Sequence, residues 1–243
     1  MIKQNAGGMN DQTGFPVFFT EVSERLGRYD DYEGAAKSIA AQFPPTQYPA
    51  VLDICCGIGK MSYAMSRCGY DVVGVDLSQA QLRIAEVHSP GPEYVQSDMG
   101  SLPGGGYDLL LNVYTSFGYY STEAEDLAVL PEWYKALRPG GVLIMELADM
   151  DRARNRIDDA GRLIRLSRGV TEYLSMDWEQ RLLKVDYAKD RESWSCLTRL
   201  YEKEDLQQAL LQAGFASVEL YGSFDCQPKK IDDNLVIVAR KGM

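Results

Sequence analysis

From residue 50 onward, short apolar runs alternate with stretches whose apolar residues recur every three or four positions. The runs at 50–54 (AVLDI), 71–76 (DVVGVD), 93–97 (EYVQS), 107–113 (YDLLLNV) and 141–147 (GVLIMEL) read as strands. Several are apolar almost throughout, the pattern of a parallel sheet covered on both faces. Between them, 60–68 places Met61, Ala64, Met65 and Cys68 on one helical face, with Gly69 as the C-terminal cap. Ser78 and Gln81 have capping-box spacing and open a helix running to His88. In 124–137, Leu127, Leu130, Tyr134 and Leu137 form a stripe that Pro131 interrupts, which predicts a kink or two short helices. Ahead of these elements, 15–43 reads as helical and stops at Pro44-Pro45.

The period changes after Asp149. Residues 150–162 are polar and charged, and strand-like segments follow at 162–168, 170–176, 182–188 and 193–200. The last two alternate in the manner of half-buried antiparallel strands. A helix at 203–213 and strands near 216–222 and 234–239 return the chain to the main sheet. The expected fold is therefore α/β, a mostly parallel sheet with helices on both faces and right-handed crossovers, plus a small antiparallel β insertion. Its parts are a tail and helix at 1–28, a core at 29–149, the insertion at 150–200, acting as a substrate lid or dimer surface, and the end of the core at 201–243.

Composition narrows the function classes. Of 243 residues 45 % are apolar and 25 % charged, which suits a folded domain. Thirty-five acids against 25 bases leave a net charge of −10, and such a surface repels a phosphate backbone, so nucleic acid is not the expected partner. No apolar run reaches the length of a membrane span, and residues 1–14 lack the apolar segment of a secretion signal. The expected compartment is the cytoplasm, and the expected assembly a monomer or homodimer. Five cysteines (55, 56, 68, 196, 226) and one histidine, His88, give no zinc-binding spacing, so no metal is expected.

The segment Val51-Leu52-Asp53-Ile54-Cys55-Cys56-Gly57-Ile58-Gly59-Lys60 carries the strongest chemical signal. A strand ends in an acid, and a Gly-x-Gly turn opens a helix, at the crevice where open α/β sheets bind ligands. Nineteen residues after Gly57, the second strand ends at Asp76, the spacing of a carboxylate that accepts ribose hydroxyls. NAD fits these features poorly. Its pyrophosphate would meet the charge of Asp53, and the third glycine of its fingerprint is Ser62 here. An ammonium-bearing nucleoside without phosphate, S-adenosylmethionine, fits the charges better.

The same residues resemble the first motif, (V/L)LDxGxGxG, of class I S-adenosylmethionine-dependent methyltransferases. GVDLS at 74–78 is similar to their second motif, QSDM at 96–99 to the adenine-contacting motif, and LRPGG at 137–141 to the turn before strand five. NVYTSFGYY at 112–120 resembles the TSFGYF-type stretch of small stand-alone bacterial members. The resemblance implies a seven-stranded Rossmann-like sheet with a reversed last hairpin. It implies that Asp53, Cys55 and Gly57 surround the methionine moiety, and that Asp76 and Leu77 hold the ribose and adenine. Asp98 and Met99 would meet the adenine edge, and Asn112 would line the cofactor beside the reacting methyl. Tyr29 or Tyr32 would close over the methionine end. Cys55 departs from the motif, which has glycine there.

Methyl transfer is an in-line displacement in which the protein positions a nucleophile and excludes water. No residue reads as a strong base, which places nitrogen ahead of oxygen or carbon as the accepting atom of a small molecule. Tyr114, Phe117 and Tyr119 are candidate substrate residues, with core packing the alternative for Phe117. Six arginines between 152 and 168, against Asp158 and Asp159, form a +4 stretch near the expected pocket mouth. One of them, with Arg154 the candidate, would receive an acceptor's carboxylate or phosphate. Two other functions remain open at this point, a cofactor-using enzyme or sensor without simple methyl transfer and an NAD-linked oxidoreductase.

Overall fold

The computed structural model describes residues 31–243. Seven strands form the central sheet: β1 (Ala50–Ile54), β2 (Asp71–Asp76), β3 (Glu93–Gln96), β4 (Tyr107–Asn112), β5 (Leu137–Leu147), β10 (Ser217–Tyr221) and β11 (Leu235–Arg240). Their order is β10-β11-β5-β4-β1-β2-β3, and only β11 runs against its neighbours. The helices are α1 (Tyr32–Gln42), α2 (Lys60–Arg67), α3 (Gln79–His88), α4 (Glu123–Ala128), α5 (Leu130–Ala136), α6 (Met150–Arg156) and α7 (Lys203–Gln212). The apolar runs that predict the parallel strands are buried as expected, with Leu109, Leu110 and Leu111 of β4 all fully inaccessible. Alternate residues of that run serve two cores, one on each face: Leu110 packs with Trp133 and Phe215, while Leu109 and Leu111 pack with Ile39 and Met65.

Pro131 resolves its interrupted stripe as two helices. Thr122 and Glu125 form a reciprocal capping box on α4, and Pro131 sits in the first turn of α5, where its missing N–H costs nothing. β5 starts at Leu137, four residues before the expected 141, because Leu137 pairs with Tyr107 ahead of a register shift that the Arg138–Gly141 segment absorbs.

The remaining strands, β6 (Arg162–Ser167), β7 (Val170–Asp177), β8 (Leu182–Lys189) and β9 (Glu192–Arg199), form a separate antiparallel meander. Its inner face closes a third core from Leu174, Met176, Val185 and Cys196 with Met150, Ala153 and Ile157 of α6. The sequence pattern leaves 150–162 without an element. Met150, Ala153 and Ile157 nevertheless have helical spacing, and Asp149 caps the helix by accepting the Arg152 N–H at 3.1 Å. Among the described residues, no helix is long and apolar enough to cross a membrane.

Candidate active site

The carboxyl ends of β1, β2 and β4 bring most of the expected cofactor residues together. Asp53 is buried, and Ser62 Oγ donates to its Oδ2 at 2.5 Å. The residue that stands where a dinucleotide fold has its third glycine therefore holds a carboxylate in the crevice. Burial, with Asp76 nearby adding to it against the Ser62 bond, pushes the Asp53 carboxyl up to about 7. Asp76 accepts the Gly57 N–H at 2.9 Å and the Ser78 N–H at 2.8 Å, so the turn and the acid define each other. Burial raises its carboxyl as well. Gly59 is the N-cap of α2 at φ 76°, and a Cβ there would lie 2.3 Å from Tyr94 Oη. Tyr94 is pinned beneath the turn by donating to Ser89 O at 2.7 Å.

Cys55 explains the glycine of the motif it departs from. Its φ is 62°, in the left-handed region that a Cβ disfavours. Its thiol donates to Met99 Sδ at 3.9 Å and is raised well above its ordinary pKa, chiefly by burial, so it is a packed thiol and no nucleophile. Cys55→Gly is expected to fold with unchanged or slightly raised stability. Cys55→Val, with a branched Cβ at positive φ, is expected to lose about 2 kcal/mol. Urea unfolding of the two variants checks this, and equal losses would mean that the thiol contact dominates.

Asn112 ends β4 with no exposed surface; its Nδ2 donates to Ile54 O at 3.3 Å and Ser116 O at 3.2 Å. Its Oδ1 is buried with no hydrogen-bond partner among the described residues. A buried acceptor left open beside a buried carboxylate fits a ligand that brings N–H donors and positive charge, as the methionine end of S-adenosylmethionine does. Asp98 accepts the Gly100 N–H at 2.7 Å and the Tyr120 hydroxyl, and Trp133 donates to Met99 O at 2.7 Å. Leu77 leaves two-thirds of its surface to solvent next to Asp76. Tyr32, at the start of α1, meets Tyr114 edge-on at 5.0 Å; Tyr29 lies outside the described residues.

A cavity of about 320 Å³ opens at the ends of β4 and β5, walled by α6 and the inner face of the small sheet. Tyr114 and Tyr119 line it. Tyr114 and Thr115 both have positive φ, and Glu146 holds this bend: its side chain accepts the Tyr114 N–H and its carbonyl the Thr115 N–H, each at 2.8 Å. Phe117 does not reach the cavity; it packs in the main core between Trp133 and Tyr201, at 5.7 and 5.3 Å between ring centres. Arg154 is also absent from the lining, since its guanidinium pairs with Glu202 on the outer side of α6. The arginines that face the cavity are Arg152, Arg156 and Arg165. Glu146 and Asn234, which join through a side-chain bond and reach Arg152, escaped the sequence reading. The available signal was a carboxylate inside the apolar run GVLIMEL.

Among the described residues, no cluster of three or more His, Cys, Asp or Glu side chains is placed to hold a metal ion. Residues 51–141 match a family described as "Methyltransferase domain". A putative methyltransferase of Bacillus subtilis, YqeM, is 28 % identical over 134 residues, and the match spans only 53 % of each chain. A Streptomyces venezuelae protein named dTDP-3-amino-3,4,6-trideoxy-alpha-D-glucopyranose N,N-dimethyltransferase is 26 % identical over 210 residues, covering 81 % of this chain and 89 % of that one. The solved CcbJ methyltransferase of Streptomyces caelestis superposes with a TM-score of 0.79 at 16 % identity, over 99 % of this chain and all of that one. With the Asp53–Gly57–Asp76 crevice at the ends of β1 and β2, these findings identify residues 51–141 as a methyltransferase domain, in a chain similar to S-adenosylmethionine-dependent methyltransferases.

Proposed function

We propose that the protein transfers a methyl group from S-adenosylmethionine to the nitrogen of a small molecule bound in the cavity. The observation that carries this reading is the pairing of a buried, ligand-ready crevice with that cavity. Asp53 and the open Oδ1 of Asn112 would take the ammonium, Asp76 the ribose, and Asp98 with Met99 the adenine edge. Bound there, the cofactor supplies an electrophilic methyl on a positively charged sulfur. The chain's own part is to seat the acceptor against that methyl and keep water out. The small sheet and α6 would act as the cover on the acceptor side.

Nitrogen as the accepting atom is supported by the shortage of a base. Burial raises the Tyr114 hydroxyl well above its usual range, and Asp149 in the cavity wall is paired with Lys229 at 3.0 Å. An amine presented neutral needs no base to attack, and its proton leaves to solvent afterwards. The similarity to an amino-sugar N,N-dimethyltransferase points the same way. Calorimetric titration with S-adenosylmethionine and, separately, NADH tests the proposal. Micromolar binding of the first, lost in Asp76→Ala, is the expected result, and binding of NADH alone would refute it.

A further inference from the structure

We infer that the methyl acceptor carries a carboxylate, which Arg165 of β6 receives with help from Arg152 of α6. The inference rests on the proposed function and names the class of its substrate. Three guanidinium groups, those of Arg152, Arg156 and Arg165, line the cavity against one carboxylate, Asp149, which already has Lys229.

The three arginines differ in what holds them. Arg156 Nε donates to Asp232 at 2.9 Å, and both side chains are largely solvated (40 and 56 % exposed), so water screens that pair. Arg152 is fixed to the main sheet by donating to Asn234 Oδ1, while Asn234 donates in turn to Glu146. Arg165 has a buried anchor: one terminal nitrogen lies 2.5 Å from Glu172, whose side chain is 1 % exposed. Its Nε is buried without a hydrogen-bond partner among the described residues. A guanidinium presents five donors in a rigid fork, and Glu172 accounts for only part of them. A buried N–H left unmade is costly, and an oxyanion entering the cavity supplies the missing acceptor.

Charge sets the kind of oxyanion. In and behind this wall Arg152, Arg156, Arg165 and Lys229 stand with Asp149, Asp232, Glu172 and Glu146, four cations against four acids. Glu146 reaches Arg152 through Asn234. A planar monoanion matches the fork of Arg165 and adds one charge to that balance, whereas a phosphate dianion adds two. With the anion toward the small sheet, the rest of the acceptor extends to Tyr114 and Thr115, beside Asn112, where the methyl is delivered.

The test starts from protein saturated with S-adenosylhomocysteine, whose binding calorimetry establishes first. That complex is titrated with benzoate and succinate, with benzamide and succinamide, and with phenyl phosphate. At least one acid is expected to bind while its amide does not, and phenyl phosphate is expected to bind more weakly than benzoate. Arg165→Gln is expected to weaken the acid about tenfold or more, and Arg191→Gln, on the exposed β8–β9 turn, to change it less than about twofold. Because the first variant strands the buried Glu172, the double variant Arg165→Gln/Glu172→Gln is measured beside it, with the same loss expected. Acid and amide binding equally, phosphate binding more tightly, neither acid binding, or a double variant that binds like the parent would each overturn the inference. Failure of S-adenosylhomocysteine to bind would instead bring down the proposed function.

Discussion

Asp53→Asn is expected to stabilise the ligand-free protein at pH 8 while weakening S-adenosylmethionine about 10- to 100-fold. The Asp53 carboxyl has almost no exposed surface, one short bond from Ser62, and a pKa raised from 3.8 to about 7, chiefly by burial. Each unit corresponds to about 1.36 kcal/mol, so keeping this group ionised in the fold costs on the order of 4 kcal/mol. Between about pH 4 and 7 the folded state holds a proton that the unfolded state has released. Stability therefore falls as pH rises through that window and stays reduced above it. Asparagine keeps a polar partner for Ser62 without the charge, so the variant gains stability at pH 8 and nothing near pH 4. The ammonium of the cofactor reverses this balance, since it favours the ionised form. Its charge-assisted bond, worth about 1.5–3 kcal/mol, is what the variant loses. Wild-type binding should release protons near pH 7 and weaken below it. Thermal melts at pH 4.5 and 8, with titrations in buffers of different ionisation enthalpy, measure both effects. A variant no more stable at pH 8, or one that binds undiminished, would mean that Asp53 is a structural acid.

The sheet was legible because burial on both faces writes itself as unbroken apolar runs. The crevice was legible for a related reason: a left-handed turn, a helix start and a ribose acid need fixed spacing, and Gly57, Gly59 and Asp76 supply it. The acceptor side was not. In RLIRLS at 162–167, apolar residues occupy 163, 164 and 166, so no alternation says which side faces in. The structure turns Leu163 and Arg165 inward and leaves Ile164 and Leu166 exposed. That parity, invisible in the chain, separates a cavity arginine from a surface one. Arg154 failed as a candidate for the same reason on a helix, where Arg152 and Arg156 point inward and Arg154 points out to Glu202. Phe117 was ambiguous because an aromatic near the end of a strand suits a core and a pocket equally. Its partner Tyr201 lies 84 residues further along the chain, where no local pattern reveals it.

Asp126→Ala is expected to cost about 3–5 kcal/mol, the largest stability loss of any single side chain considered, and to impair cofactor binding as well. Asp126 has no exposed surface and accepts from the Tyr120 N–H and the Tyr201 hydroxyl, each at 2.9 Å, and from Arg199. Arg199 ends β9, is itself buried, and donates its backbone N–H to Gly118 O at 2.8 Å. Gly118 permits that approach, since a Cβ there would lie 2.3 Å from Arg199 O. One carboxylate thus ties the 117–122 loop, the start of α4 and the last strand of the small sheet together. Removing it leaves a buried guanidinium and hydroxyl short of their acceptor, while replacing Asp126 and Arg199 together by Leu and Met should recover much of the loss. For a chain of this length a loss of that size lowers the melting temperature by about 10–15 °C. Tyr120 carries the effect to the cofactor, because its backbone is held by Asp126 and its hydroxyl bonds to Asp98. Asp126→Asn, which can keep the Tyr120 contact, should retain more affinity than Asp126→Ala at a temperature where both remain folded. Urea unfolding of the single and double variants, read with calorimetry on the folded proteins, separates the two effects. A loss below about 1 kcal/mol for Asp126→Ala would show that the join is redundant, and that the small sheet is held by its α6 core alone.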